Sequence, residues 1–125
     1  MNFLEGFDQV YLTTAYPEVV KVWHHHTKQD NNVEVVKGMM KIVLFDGRKE
    51  SSTYDEVNEF FAGEDNPILV HIPHGIYHGF KCISESEALI VNVPTQLYNY
   101  DYPDEFRLPP HNSSVTSYIW EWKDG

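Results

Sequence analysis

Apolar residues in this chain fall in short alternating blocks, and turn residues break the blocks at intervals of about ten residues. Residues 10–14 and 19–25 are β-branched or aromatic stretches divided by Tyr16-Pro17. Residues 33–36 end at Gly38, and residues 40–45 stop at Asp46-Gly47, a strong turn dipeptide. Residues 57–62 run into the loop Gly63-Glu64-Asp65-Asn66-Pro67, and residues 68–72 are closed by Pro73-His74-Gly75. Residues 78–83 and 88–93 are predicted to pair antiparallel around the polar turn Ser84-Glu85-Ser86, and residues 115–122 form a final strand. No apolar period of 3.6 persists for more than about two turns. Residues 53–62 are the best helix candidate, with Tyr54-Asp55-Glu56-Val57 able to form one turn of it. The pattern predicts an all-β fold, a jelly-roll barrel of short antiparallel strands spanning residues 1–125 as one domain.

Composition agrees and narrows the partners. A chain of 125 residues that is 42% hydrophobic and 14% aromatic can bury a core without disulfides or metals. Cys82 is the one cysteine, so no intrachain disulfide forms and a reducing compartment is expected. The sequence has no apolar run long enough for a transmembrane helix and no signal peptide at its start, so the expected location is cytoplasmic. Nineteen acidic residues against nine basic ones give a net charge of −10. Such a surface repels a nucleic-acid backbone, and any anionic ligand needs a local basic group.

Three features can carry chemistry. In Trp23-His24-His25-His26, strand alternation puts His24 and His26 on one face and His25 on the other. In Pro73-His74-Gly75-Ile76-Tyr77-His78, the glycine permits a tight turn and His78 opens the next strand. Asp46-Gly47-Arg48, followed by Ser51 and Thr53, offers an ion pair and hydroxyls in a turn. His25, His71, His74 and His111 are expected at the surface or rim, and Trp120 and Trp122 to cover the barrel or meet a second subunit. His24, His26 and His78 leave two chemistries open, since imidazoles can move protons or bind Zn²⁺, Fe²⁺, Mn²⁺ or Ni²⁺. A binding barrel without catalysis is the third reading.

The order Trp23-His24-x-His26-x-x-Gln29, Val35-Val36-Lys37-Gly38, Asp46-x-Arg48-x-x-Ser51-x-Thr53-Tyr54, then Ile72-Pro73-x-Gly75-x-x-His78-Gly79-Phe80 resembles the dTDP-4-dehydrorhamnose 3,5-epimerase family. The resemblance covers about residues 20–100 and implies a cupin-fold homodimer acting on a nucleotide-linked 4-keto-6-deoxy sugar, without metal or other cofactor. It implies His24 as the base that removes a proton beside the ketone and His78 as a second pocket histidine. Lys21 stands where the family has a phosphate-binding arginine, and Asn31 where it has a lysine. Ile90 or Val91 occupies the place of the family's catalytic tyrosine, which makes Tyr98 the nearest substitute. Glu105 resembles an acidic residue of the family, and His26, Gln29 and Arg48 complete the expected substrate-binding set. These departures from the family pattern leave open whether one carbon or two are inverted.

Overall fold

The computed structural model describes residues 9–95 and 120, together with the backbone of 106–107 and 123–124. Eight strands carry the fold: β1 (Tyr11–Ala15), β2 (Val19–His25), β3 (Asn31–Lys37), β4 (Met39–Phe45), β5 (Val57–Gly63), β6 (Leu69–Ile72), β7 (Tyr77–Cys82) and β8 (Ala88–Asn92). Two short strands follow, β9 (Phe106–Arg107) and β10 (Lys123–Asp124). One sheet has the order β1-β8-β3-β6, and the larger one runs β10-β2-β7-β4-β5 with β9 also on β2. All pairings are antiparallel except the two-residue match of β10 to β2. The all-β jelly roll expected from the sequence is the fold observed.

Alternation decides what lies between the sheets. Met40, Ile42 and Leu44 of β4 point inward with Val33 and Val35 of β3, and Ile72, Ile90 and Ala62 close the layer. Each such side chain stabilises the fold by roughly 1.5–3 kcal/mol when fully buried. A second cluster covers the outer face of the larger sheet, where Val20, Trp23, Val43 and Phe45 pack beneath Trp120. The Trp23 and Trp120 rings lie 5.5 Å apart, and Lys41 Nζ sits 5.1 Å from the Trp120 ring. Trp120 therefore covers the barrel, as expected. Trp122, His111 and most of the predicted strand 115–122 lie outside the described residues.

Two expectations are corrected. Residues 53–62 are not helical: Thr53 to Asp55 form a turn, and β5 pairs with β4 along its whole length from Met39↔Gly63 to Phe45↔Val57. Pairing to β4 and inward packing of Phe60 and Ala62 outweigh the weak local helical tendency. The strands at 77–82 and 88–92 are consecutive but do not pair. β7 lies between β2 and β4, whereas β8 lies between β1 and β3. Their link crosses from one sheet to the other at a crowded corner. The β3–β4 link crosses there too, at Gly38, whose φ is +72°. A Cβ on Gly38 would meet Ser84 Oγ at 2.7 Å and Ala88 at 3.1 Å, so small residues let the two crossings touch.

Candidate active site

The site begins with an irregularity in β2. Lys21 pairs with Phe80 and His24 with His78, but the register shifts between them. Val22 and Trp23 thus oppose the single residue Gly79, a β-bulge. Strict alternation would send Lys21 and His24 to opposite faces. The bulge turns both inward, while Trp23 goes to the outer cluster. Gly79 makes room for it, because a Cβ there would run into the Val22 side chain and meet Trp120 at 2.9 Å.

His26 follows the end of β2 and is held by a backbone hydrogen bond, Gly75 N–H to His26 O at 2.5 Å. Gly75 takes a φ of +82°, which glycine adopts without strain. His24 and His26 then flank His78, each with ring centroids 5.9 Å from it and nearly parallel planes. His25 faces the other way and packs on Tyr77 at 4.4 Å. Strand alternation predicted that division.

These side chains form one wall of a cavity of about 380 Å³ between the sheets. Lys21, His24, His26, His78 and Phe80 line it from the larger sheet and the chain just beyond β2. Tyr11, Thr13, Val33, Ile90 and Asn92 line it from the smaller sheet. Gln29 joins them from the β2–β3 loop. Register explains the grouping, since Asn92 pairs with both Tyr11 and Val33, and Ile90 with both Thr13 and Val35.

An amide network holds this end in shape. Asn31 is only 1% exposed, and its Oδ1 accepts hydrogen bonds from Gln29 Nε2 at 2.8 Å and Asn92 Nδ2 at 3.0 Å. Asn31 therefore fixes two lining residues rather than lining the cavity itself. Beside it, Asp30 accepts from the His74 backbone N–H at 2.8 Å. Burial pushes the Asp30 carboxyl up, but the hydrogen bonds from His74 and the nearby His71 outweigh this and leave it below its ordinary value. His71 and His74 are half exposed at the rim, as expected.

Charge separates the three histidines chemically. His78 is 6% exposed, and its pKa is pushed down to about 3. Burial is the main cause, and repulsion from His24 and His26 adds to it. A backbone contact with Ile76 only partly offsets the shift, and the buried Nδ1 has no well-formed hydrogen bond among the described residues. His78 is thus neutral near pH 7 and a poor base. It remains a hydrogen-bond donor through whichever ring nitrogen carries the proton. The His78 ring lies nearly parallel to both neighbours, at 24° to His24 and 22° to His26. Among the described residues, no group of three His, Cys, Asp or Glu side chains is placed to hold a metal ion.

Arg48, expected among the substrate-binding residues, sits elsewhere. It lies in the β4–β5 loop, outside the cavity lining, with its guanidinium clamped on Asp46 through Nε–Oδ1 and Nη2–Oδ2 contacts of 2.9 Å each. Thr53 Oγ1 donates to the same carboxylate at 2.5 Å, and Arg48 above all holds the Asp46 carboxyl far below the usual carboxylate range. Tyr98 and Glu105 lie outside the described residues. Of the expected set, the cavity gathers Lys21, His24, His26, Gln29 and His78. The sequence reading missed Tyr11, Thr13 and Asn92. The signal was there in period-two spacing, which puts Tyr11 with Thr13, and Ile90 with Asn92, on one face.

Two packed sheets with a histidine-lined cavity at one end define a cupin-type barrel. The family model for dTDP-4-dehydrorhamnose 3,5-epimerase matches residues 2–116, and the chain belongs to that family. It is 41% identical over 114 residues to the spore coat polysaccharide biosynthesis protein SpsL of Bacillus subtilis, covering 91% of this chain and 76% of SpsL. It is 39% identical over 100 residues to the "Probable low-salt glycan biosynthesis epimerase Agl13" of Haloferax volcanii, covering 79% of this chain and 64% of that protein. Among solved structures, the dTDP sugar isomerase of Desulfovibrio desulfuricans superimposes with a TM-score of 0.86 at 25% identity, covering 94% of this chain and 74% of the isomerase.

Proposed function

We propose that this protein epimerises or isomerises a nucleotide-linked 4-keto-6-deoxy sugar, at one carbon, with His24 as the base. The observation that carries this reading is the inequality of neighbouring imidazoles. His78 is too deeply buried to accept a proton near pH 7, which leaves abstraction to the flanking His24 and His26, and the family resemblance assigns it to His24. A ketone acidifies the C–H bonds next to it, and the enolate formed on proton loss needs donors at its oxygen. Neutral His78 and cationic Lys21 are the groups on the same wall that can supply them. Lys21 also gives an otherwise acidic protein a cation for the nucleotide's phosphates. His26, Gln29 and the amides that Asn31 orients are suited to sugar hydroxyls.

SpsL and Agl13 are named for polysaccharide and glycan biosynthesis, which supports the same setting here. A cytoplasmic homodimer belongs to the proposal. Among the described residues, no helix is long and apolar enough to cross a membrane. The test is solvent deuterium uptake beside the ketone of dTDP-4-keto-6-deoxy sugars, followed by NMR. His24→Ala should lower uptake by ~10² to 10⁴-fold, as for a lost general base. Unchanged uptake in the folded variant would remove His24 from the role.

A further inference from the structure

Inversion at a carbon needs two groups, one to take the proton and another to return it to the opposite face. The cavity separates its candidates by wall. His24, His26, His78 and Lys21 all approach from the side of the larger sheet. A substrate carbon held between the sheets presents one face to these groups and the other to the smaller sheet. The described lining residues there are Tyr11, Thr13, Val33, Ile90 and Asn92. Val33 and Ile90 have no exchangeable proton, and an aliphatic hydroxyl or a carboxamide is too weak an acid to quench an enolate quickly. The phenol of Tyr11 is the one group among these that is acidic enough.

We infer that Tyr11 is the proton donor that faces His24 across the cavity and completes inversion. This rests on the keto-sugar reading above and assigns the half of the chemistry that it left open. The placement has three supports. β1 puts Tyr11 and Thr13 on its inner face, and pairing with Asn92 fixes Tyr11 at the histidine end of the barrel. Tyr11 Oη donates to Gln9 Oε1 at 2.7 Å, so the hydroxyl is oriented before any ligand arrives. The residue is 36% exposed, which gives a phenolate ready access to water.

The step balances. The C–H proton passes to His24, and its electron pair becomes the enolate. Tyr11 O–H then gives its proton to the same carbon from the other side, the ketone re-forms, and a phenolate is left. Water returns a proton to Tyr11 while His24 releases one, so a turnover neither gains nor loses protons. The hydrogen bond from Tyr11 to Gln9 must break or turn as the proton leaves. Gln9 is therefore a positioning residue for the phenol.

The experiment compares Tyr11→Phe, His24→Ala, Tyr98→Phe and the wild type in D₂O with dTDP-4-keto-6-deoxyglucose, reading deuterium uptake and inverted product separately. Circular dichroism and gel filtration first show that each variant is folded. Tyr11→Phe should keep uptake with retention, because His24 can remove and return a proton on its own face. Its inverted product should fall by about 10²-fold or more. His24→Ala should lose both signals. The inference is overturned if Tyr11→Phe inverts as fast as the wild type, or loses uptake and inversion in equal measure. It is overturned equally if Tyr98→Phe alone abolishes inversion. A wild type that takes up deuterium but never inverts removes Tyr11 from this role while leaving His24 as base. A wild type with no uptake from this or other nucleotide 4-keto sugars removes the keto-sugar reading itself, and the Tyr11 role with it.

Discussion

Gly79→Ala is the sharpest test of how the site is built, because one methyl group acts on the bulge that aims Lys21 and His24. A Cβ at position 79 meets Trp120 Cζ2 at 2.9 Å, Val22 Cβ at 3.2 Å and Val22 Cγ1 closer still. Trp120 is 2% exposed, so its ring cannot simply swing into solvent. Overpacking of this kind costs roughly 1–3 kcal/mol. With a urea slope of about 1–3 kcal/mol per molar, the unfolding midpoint should fall by about 1 M. Val22→Ala removes the Cγ1 that collides, so the double variant should recover part of the loss, with a coupling of about 0.5–3 kcal/mol. The bulge should also shift, so catalytic activity per folded molecule should drop beyond what unfolding accounts for. A single variant within about 0.5 kcal/mol of wild type would refute the reasoning. So would a Gly79→Ala cost that is the same with and without Val22.

Two further predictions concern charge. The His78 pKa is held at about 3 in the fold and returns to near the ordinary histidine value of 6.5 when unfolded, so between those values only the unfolded chain binds its proton. Stability should be unaffected by His78 above pH 6.5 and should fall below it by up to about 1.4 kcal/mol per pH unit toward pH 3. The difference between wild type and His78→Gln, followed by urea unfolding from pH 7 to 4, should carry that slope. Parallel curves would mean His78 is not buried as a neutral ring. Asp46→Asn should cost about 1–3 kcal/mol by weakening a clamp on a carboxylate that is 3% exposed, with the half-exposed Arg48 keeping the loss near the lower end. Nucleotide-sugar affinity by calorimetry should stay unchanged in this variant and in Arg48→Ala. A large loss in both would place Arg48 against the ligand.

The strands and the turns between them were legible because turn residues and period-two alternation are local signals. Residues 40–45 read as a strand for the reason they form one, with Met40, Ile42 and Leu44 pointing to one side. The inward pair His24 and His26, and the outward His25, followed from the same geometry. The Asp46-Arg48 turn pair was visible too, although its separation from the cavity was not. Local pattern failed at 53–62, where pairing with β4 supplied what the segment's own preference lacked.

Sequence alone determined an all-β barrel, the histidines able to share a face, and through its motifs the family. Tertiary structure decided which strands become neighbours. It sent β7 and β8 to different sheets because Gly38, Ser84 and Ala88 pack at the corner between them. It also decided that Lys21 and His24 face inward together, since a bulge depends on the space opposite it and Gly79 provides that space only once the strands are paired. Tyr11 reached the cavity in the same way. A residue's face is set by its own strand, but what it faces is set by distant residues that packing brings across from it.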